Sequence, residues 1–166
     1  MLTVAKIIEK LDLQAHPEGG YYKETYRSKE RVVPPKNFSE ELRHWATGIY
    51  FLLETGNFSA FHRLKSDETW FFHSGKSISI YILKNNGKLT VEKLGNPLET
   101  PDATFQVTIP AEVWFAAEVN EKDSYVLVSC FVAPGFNYVD FELAYCEELT
   151  REYPEYTETI RRLTRT

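Results

Sequence analysis

Between residues 47 and 133 the chain breaks into short strand-like runs, none long enough to build a helix of ordinary length. They cover 47–53, 58–64, 69–72, 78–83, 89–94, 106–109, 113–117 and 125–133. Turn formers cut them apart: Gly56, Gly75, Asn86-Gly87, Pro97, Pro101, Pro110 and the polar stretch 120–123. No helical pattern lies between the runs. A parallel sheet needs crossover helices, so the pattern predicts an antiparallel sandwich or barrel. Asn86-Gly87 is the clearest hairpin signal, because both residues tolerate the positive φ of a tight turn. At 166 residues the chain fits one domain, and residues 1–166 are read as a single unit.

The two ends differ from the middle. Val4, Ile7, Ile8 and Leu11 recur at helical spacing with Lys6, Glu9 and Lys10 between them, and Thr3 is placed to cap the start. A short amphipathic helix over 3–13 follows. His16-Pro17-Glu18-Gly19-Gly20 stops it and leads to a strand over 21–27, whose Tyr22, Glu24 and Tyr26 share one face. Residues 28–41, with Pro34-Pro35, read as a surface loop. After Pro154, a stripe of Tyr156, Ile160 and Leu163, with Glu155 and Glu158 early and Arg161, Arg162 and Arg165 late, predicts a closing helix.

Composition narrows the function classes. A net charge of −5 leaves no basic face for a phosphate backbone, so a nucleic-acid partner is not expected. Aromatic residues make up 14% of the chain, which suits a β-rich core or an aromatic-lined cavity. Cys130 and Cys146 are too few for a disulfide framework or a thiolate metal cluster, and read as two packed free thiols. No apolar stretch approaches the roughly 20 residues of a membrane helix, and residues 1–13 are unlike a signal peptide, so a soluble cytoplasmic protein is expected.

The candidate chemistry centres on His62. Phe58, Ala60, His62 and Leu64 share one strand face, which points the imidazole inward among apolar neighbours. Glu68, Trp70 and Phe72 share a face after the turn at 65–67. A three-residue hairpin loop would pair Leu64 with Glu68 and His62 with Trp70, whereas a two-residue loop would shift the register, and both stay open. A carboxylate beside an imidazole orients its tautomer and holds it ready for proton transfer. The plainer alternative is a satisfied inward histidine and a carboxylate at a turn. Trp70, Tyr22, Tyr50 and Tyr81 are candidates to line a pocket and stack on a ligand, and equally suit a β core. His44 and His73 read as surface or structural groups.

Gly56, His62, Glu68 and Gly75 at spacings of six, six and seven resemble the first motif of the cupins. His16-Pro17-Glu18-Gly19-Gly20-Tyr21-Tyr22, Arg43, Ile49-Tyr50-Phe51-Leu52-Leu53, Asp67-Glu68-Thr69-Trp70, Ala133-Pro134-Gly135-Phe136 and Asp140-Phe141-Glu142-Leu143 resemble the Cupin_5 (DUF985) family in particular. The likeness spans about residues 14–145. It implies a mainly β fold: a cupin-type antiparallel β-barrel (double-stranded β-helix, or jelly roll) with short N- and C-terminal helices, paired as a homodimer. It also implies a cavity near the first motif and a relation to epimerases of nucleotide-linked keto-sugars.

The sequence departs from the metal-binding cupins at two ligand positions. Leu64 stands where a second histidine is usual, and Pro110-Ala111-Glu112-Val113-Trp114-Phe115 replaces the second motif, with Glu112 at its glycine and Phe115 at its histidine. His62 and Glu68 remain, one ligand short of an ordinary catalytic zinc set. The expectation is therefore a site with no metal and no cofactor, taking a small molecule such as a nucleotide sugar. His62 would act as base in a metal-independent isomerase, Glu68 would orient it, and Tyr50 or Tyr81 would return the proton. Asp140 reads as structural. The alternatives are a cupin that binds a small molecule without changing it, a metal-dependent cupin enzyme, and a barrel whose mouth is filled by aromatic side chains.

Overall fold

The computed structural model describes residues 3–35, 38 and 42–165. Helix α1 (Val4–Leu11) begins at Thr3, whose hydroxyl accepts from the Lys6 amide at 3.4 Å. Thirteen strands follow in chain order. They are β1 (Gln14–Ala15), β2 (Tyr21–Arg27), β3 (Arg31–Val32), β4 (Arg43–His44), β5 (Thr47–Glu54), β6 (Phe58–Arg63), β7 (Asp67–Gly75), β8 (Ile78–Leu83), β9 (Leu89–Leu94), β10 (Gln106–Ile109), β11 (Trp114–Val119), β12 (Tyr125–Ala133) and β13 (Glu142–Leu143). Helices α2 (Cys146–Glu152) and α3 (Thr157–Arg162) close the chain.

Two antiparallel sheets face each other in a jelly-roll sandwich. One runs β1-β2-β5-β12-β7-β10 and the other β13-β6-β11-β8-β9. Their inner faces contribute Phe51, Trp70, Val107 and Val128 from one side and Ile80, Ile82, Phe115 and Ala117 from the other to one buried core. Alternation along each strand then sends the other residues outward. On the five-stranded sheet Phe61, Leu83 and Trp114 are covered by Leu149 of α2 and Ile160 of α3. On the six-stranded sheet Leu52 is covered by Ile7 of α1, with Tyr21, Tyr50 and Leu127 packed around them. No helix among the described residues is long and apolar enough to cross a membrane.

Most sequence-derived runs coincide with strands, and the Asn86-Gly87 turn joins β8 to β9, with Gly87 at φ +80°. Three readings change. Residues 31–32 and 43–44 form a small two-stranded sheet within and beside the predicted loop over 28–41, of which residues 36, 37 and 39–41 lie outside the described residues. Helix α2 and strand β13 were not foreseen. The third change bears on the site: β6 and β7 are consecutive but belong to different sheets, so neither hairpin register forms. His62 lies opposite Phe115 and Leu143, while Glu68 lies opposite Val132 and Ile109. The link at 64–66 arches from one sheet to the other, pinned by the Ser66 hydroxyl donating to the Pro134 carbonyl at 2.7 Å. Each strand needs its own buried face, and crossing the sandwich gives both strands one.

Candidate functional site

A cavity of about 420 Å³ opens between the sheets near the arch. Its buried end holds Glu18, His62, Glu68, Leu64 and Cys130, and its exposed rim holds Gln14, Glu24, Arg27 and Tyr138. The volume falls in the range of roughly 300–1,000 Å³ typical of small-molecule sites. It therefore argues against the reading in which aromatic side chains fill the mouth.

Glu18 enters this cavity because of the turn before β2. Gly19 and Gly20 take φ of +114° and +74°, a conformation that favours glycine. The turn is held from outside: the Glu18 carbonyl accepts from the Ala60 amide at 2.9 Å and from the Arg165 guanidinium at 3.1 Å. Arg165 also donates to the Phe58 carbonyl and to Asn57, both at 2.7 Å, so the segment after α3 ties β6 to the turn.

Inside, the Glu18 carboxyl bridges two imidazoles. Its Oε1 accepts from the Ser59 hydroxyl at 2.7 Å, and its Oε2 lies 3.2 Å from His62 Nε2 and 3.4 Å from His16 Nδ1. His62 Nδ1 lies 2.7 Å from the Ala60 carbonyl, so this nitrogen carries a proton and donates it there. Neutral His62 then presents a lone pair at Nε2. His16 Nδ1 accepts from the Glu18 amide at 3.3 Å, which engages its one lone pair. A Glu18 oxygen facing the His62 lone pair is satisfied when it carries the proton. Burial acts in the same direction: it raises the Glu18 carboxyl above its ordinary range, lowers His16, and lowers His62 to about 4. The three groups form a proton-sharing chain in which burial disfavours every charged form. His62 is further enclosed by the rings of Phe115 at 4.1 Å and Phe141 at 5.4 Å.

Glu68 is the second buried carboxyl in the cavity wall. Burial and the proximity of Glu18 push it up to about 8, against the favourable influence of the Trp70 indole and Cys130 thiol beside it. Neither Glu68 Oε2 nor Trp70 Nε1 reaches a partner at hydrogen-bonding geometry. A buried polar atom left in this way is costly unless something completes it.

The sequence-derived candidates separate accordingly. His62, Glu68 and Tyr22 line the cavity. The carboxyl bonded to His62 is Glu18, so the orienting role expected of Glu68 is taken by a residue 44 positions before His62. Trp70 lies in the core behind the wall, with its ring 5.4 Å from Phe51. Tyr50 packs near α1, and the Tyr81 hydroxyl donates to Glu118 at 2.8 Å under the C-terminal helices. These two tyrosines stand outside the cavity, because alternation along β5 and β8 directs them to the covered outer faces. Glu18 and His16 belong to a motif that sequence reading had noted only as a turn and family signature. Asp140 is ion-paired with Arg43 and with Lys65 at 3.5 Å.

The donors do not fit a metal centre. Leu64 and Phe115 are buried apolar groups, and His16 and His62 converge on a carboxyl oxygen rather than on a common open point. Among the described residues no three His, Cys, Asp or Glu side chains are grouped to hold an ion. Glu112 keeps the left-handed backbone of the glycine it replaces, at φ +63°.

A jelly-roll sandwich with its cavity at the first-motif histidine and glutamate is the arrangement of a cupin. The chain belongs to the Cupin_5 family of the cupin superfamily (DUF985), matched over residues 5–144. It is similar to a crystal structure of a Shewanella oneidensis protein, at 38% identity over 99% of both chains and a TM-score of 0.88. It is also similar to a hypothetical protein from Leishmania major, at 32% identity over 99% of this chain and 100% of that one, with a TM-score of 0.91. Oxalate decarboxylase from Bacillus subtilis shares the fold alone, at 16% identity over 92% of this chain and 37% of that one, with a TM-score of 0.57. No curated protein matches.

Proposed function

We propose that the cavity binds a small carbonyl compound of the keto-sugar class and isomerises or epimerises it by moving a proton at the carbon next to the carbonyl. The observation carrying this reading is Glu68: a buried carboxyl raised to about 8, lining the cavity, with an oxygen that lacks a partner. Such a group is a hydrogen-bond donor at neutral pH, and a carbonyl oxygen satisfies it best when charge develops there. The Glu18 proton can move toward His16, which frees His62 Nε2 to take the substrate proton. The C–H electron pair then passes to the carbonyl oxygen held by Glu68. Returning the proton to the same carbon from the opposite face epimerises it; returning it to the former carbonyl carbon isomerises the sugar, with Glu68 protonating the old carbonyl oxygen while the hydroxyl on the deprotonated carbon gives its proton back to Glu68 and becomes the new carbonyl. Of the tyrosines, Tyr22 and Tyr138 line the cavity and share a hydrogen bond of 3.1 Å, so the return falls to one of them in place of Tyr50 or Tyr81.

The test is deuterium incorporation from solvent into a panel of keto-sugars. Removing a general base costs about 10²–10⁴-fold, so His62→Ala should lose exchange by at least a hundredfold; undiminished exchange in that variant would remove His62 from the role. One observation favours a second reading, a cupin that binds a small molecule and leaves it unchanged. His62 lowered to about 4 is a weak base, and its Nε2 already faces Glu18. Tight binding without exchange would establish that reading.

A further inference from the structure

The Glu18 carboxyl points into the cavity, yet much of what holds it there is bonded to its backbone. Its side chain accepts from Ser59, and its carbonyl accepts from the Ala60 amide and from Arg165. Ser59, Ala60 and His62 all belong to β6. Ala60 serves both ends of the Glu18–His62 contact, since its amide donates to the Glu18 carbonyl and its own carbonyl accepts from His62 Nδ1. The reach of the carboxyl to His62 Nε2 is therefore set by how the turn sits on β6.

Arg165 clamps those two pieces together from outside the cavity. Its Nε donates to the Glu18 carbonyl at 3.1 Å, while its Nη2 donates to the Phe58 carbonyl and to Asn57 Oδ1, both at 2.7 Å. The guanidinium also lies 4.0 Å over the Phe58 ring. Gly19 makes room for it, because a Cβ there would fall against both the guanidinium and the Phe58 carbonyl. A planar guanidinium offers its donors in a fixed fork, so it sets the angle between turn and strand as well as their distance. The segment after α3 has its own anchor in Leu163, which is wholly buried and accepts from the Phe61 amide at 2.8 Å. Removing the guanidinium thus frees the turn and leaves the segment docked.

We infer that Arg165 is a positioning residue for the proton-sharing chain: it locks the Glu18 turn onto β6 and so keeps the carboxyl within reach of His62 Nε2. The inference rests on the proton-transfer reading only for what the chain does to a substrate; the Glu18–His62 contact stands on geometry alone.

The test is Arg165→Met in the full chain, with Arg165→Lys and Arg161→Met beside it. Nitrogen magnetic resonance of the histidine rings reads the contact with no substrate present. In Arg165→Met the His62 Nε2 signal should move toward that of an imidazole nitrogen without a hydrogen-bond partner, as the carboxyl withdraws. Arg165→Lys keeps the charge and loses the fork, so its signal should move in the same direction even where the methionine variant fails to fold. Arg161→Met removes an exposed charge of α3 and should leave the signal in place. An unmoved signal in Arg165→Lys or in folded Arg165→Met, or an equal move in Arg161→Met, overturns the inference.

Deuterium exchange into a keto-sugar separates position from charge. Glu18 is faced by His16, His62, Glu68, Cys130 and Tyr138, with Arg165 behind the turn. Burial raises its carboxyl, and the Arg165 charge is among the groups that oppose the rise. Arg165→Met should therefore shift the pH profile of exchange upward and lower its rate at least tenfold, since a misplacement of 1 Å costs roughly 10²-fold. Arg165→Lys should lower the rate and leave the profile in place. A lower melting temperature with both the His62 signal and the profile unchanged would make Arg165 a structural residue only. If the His62 signal moves while no keto-sugar exchanges with the native protein, the positioning role holds and the isomerase reading fails.

Discussion

Replacing Glu68 by Gln should flatten the loss of stability that the native protein suffers on the alkaline side of neutrality. The fold holds this carboxyl at about 8, whereas its ordinary value is 4.5. Between those values the native state keeps a proton that the unfolded chain has released, so stability falls as pH rises and the loss is complete once Glu68 ionises in the fold. From about pH 6.5 to about pH 8.5 the net difference is close to 1.4 pK units, which corresponds to about 2 kcal/mol. For a domain of this size that is a drop of roughly 4–8 °C in melting temperature. Gln keeps the shape and a donor and has no proton to lose. Urea unfolding followed at both ends of this window should therefore show the variant gaining about 2 kcal/mol on the native protein as pH rises. Histidine titrations overlap the lower limit but are common to both proteins, so they cancel in the comparison. Parallel stability curves would refute the protonated Glu68 and, with it, the carbonyl-donor role.

The acid side should behave in the opposite sense for His62. Its folded value of about 4 lies below the ordinary 6.5, so its contribution is lost as pH falls through that interval, and His62→Gln should show a weaker acid-dependent loss in the same unfolding assay. Gly19→Ala would place a methyl group against the Phe58 carbonyl oxygen at φ +114°. A cost of about 2 kcal/mol or more is expected from the strain and the overlap, together with weaker ligand binding because the turn carries Glu18. Burial beside Glu68 and Glu18 pushes the Cys130 thiol well up, while Cys146 is partly exposed. Mass spectrometry after alkylation near pH 8 should find Cys146 labelled in the folded protein and both cysteines labelled in urea; prompt labelling of folded Cys130 would contradict its burial.

The sandwich was legible because strand period and turn residues are local signals. Residues 78–83, 89–94 and 125–133 match their strands because both ends of each are marked by apolar residues and breakers. The site was legible only in part. The inward direction of His62 follows from alternation within β6, but its partner depends on which sheet β7 joins, and the length of a three-residue link does not distinguish a hairpin from an arch. Glu18 is hidden in the sequence because a turn with two glycines is explained by the backbone alone, while its carboxyl meets Ser59 across 41 residues. Tyr50 and Tyr81 are ambiguous for a related reason: an aromatic on a strand reads the same whether it faces a cavity or a covering helix. Helix α2 carries only Leu149 as a buried residue, too little apolar periodicity to stand out from the charged segment around it.

The grip of Arg165 on the Glu18 turn sets an order of events during folding. The residue that steadies the turn lies 147 positions after the carbonyl it holds. The chain can pair β5 with β12 and enclose much of the core before that guanidinium reaches the turn. Contacts this distant in sequence close last, since loop closure must precede them. The proton-sharing chain of His16, Glu18 and His62 is therefore set in place after the sheets have paired, and a molecule that has only its sheets carries the pocket without its chemistry.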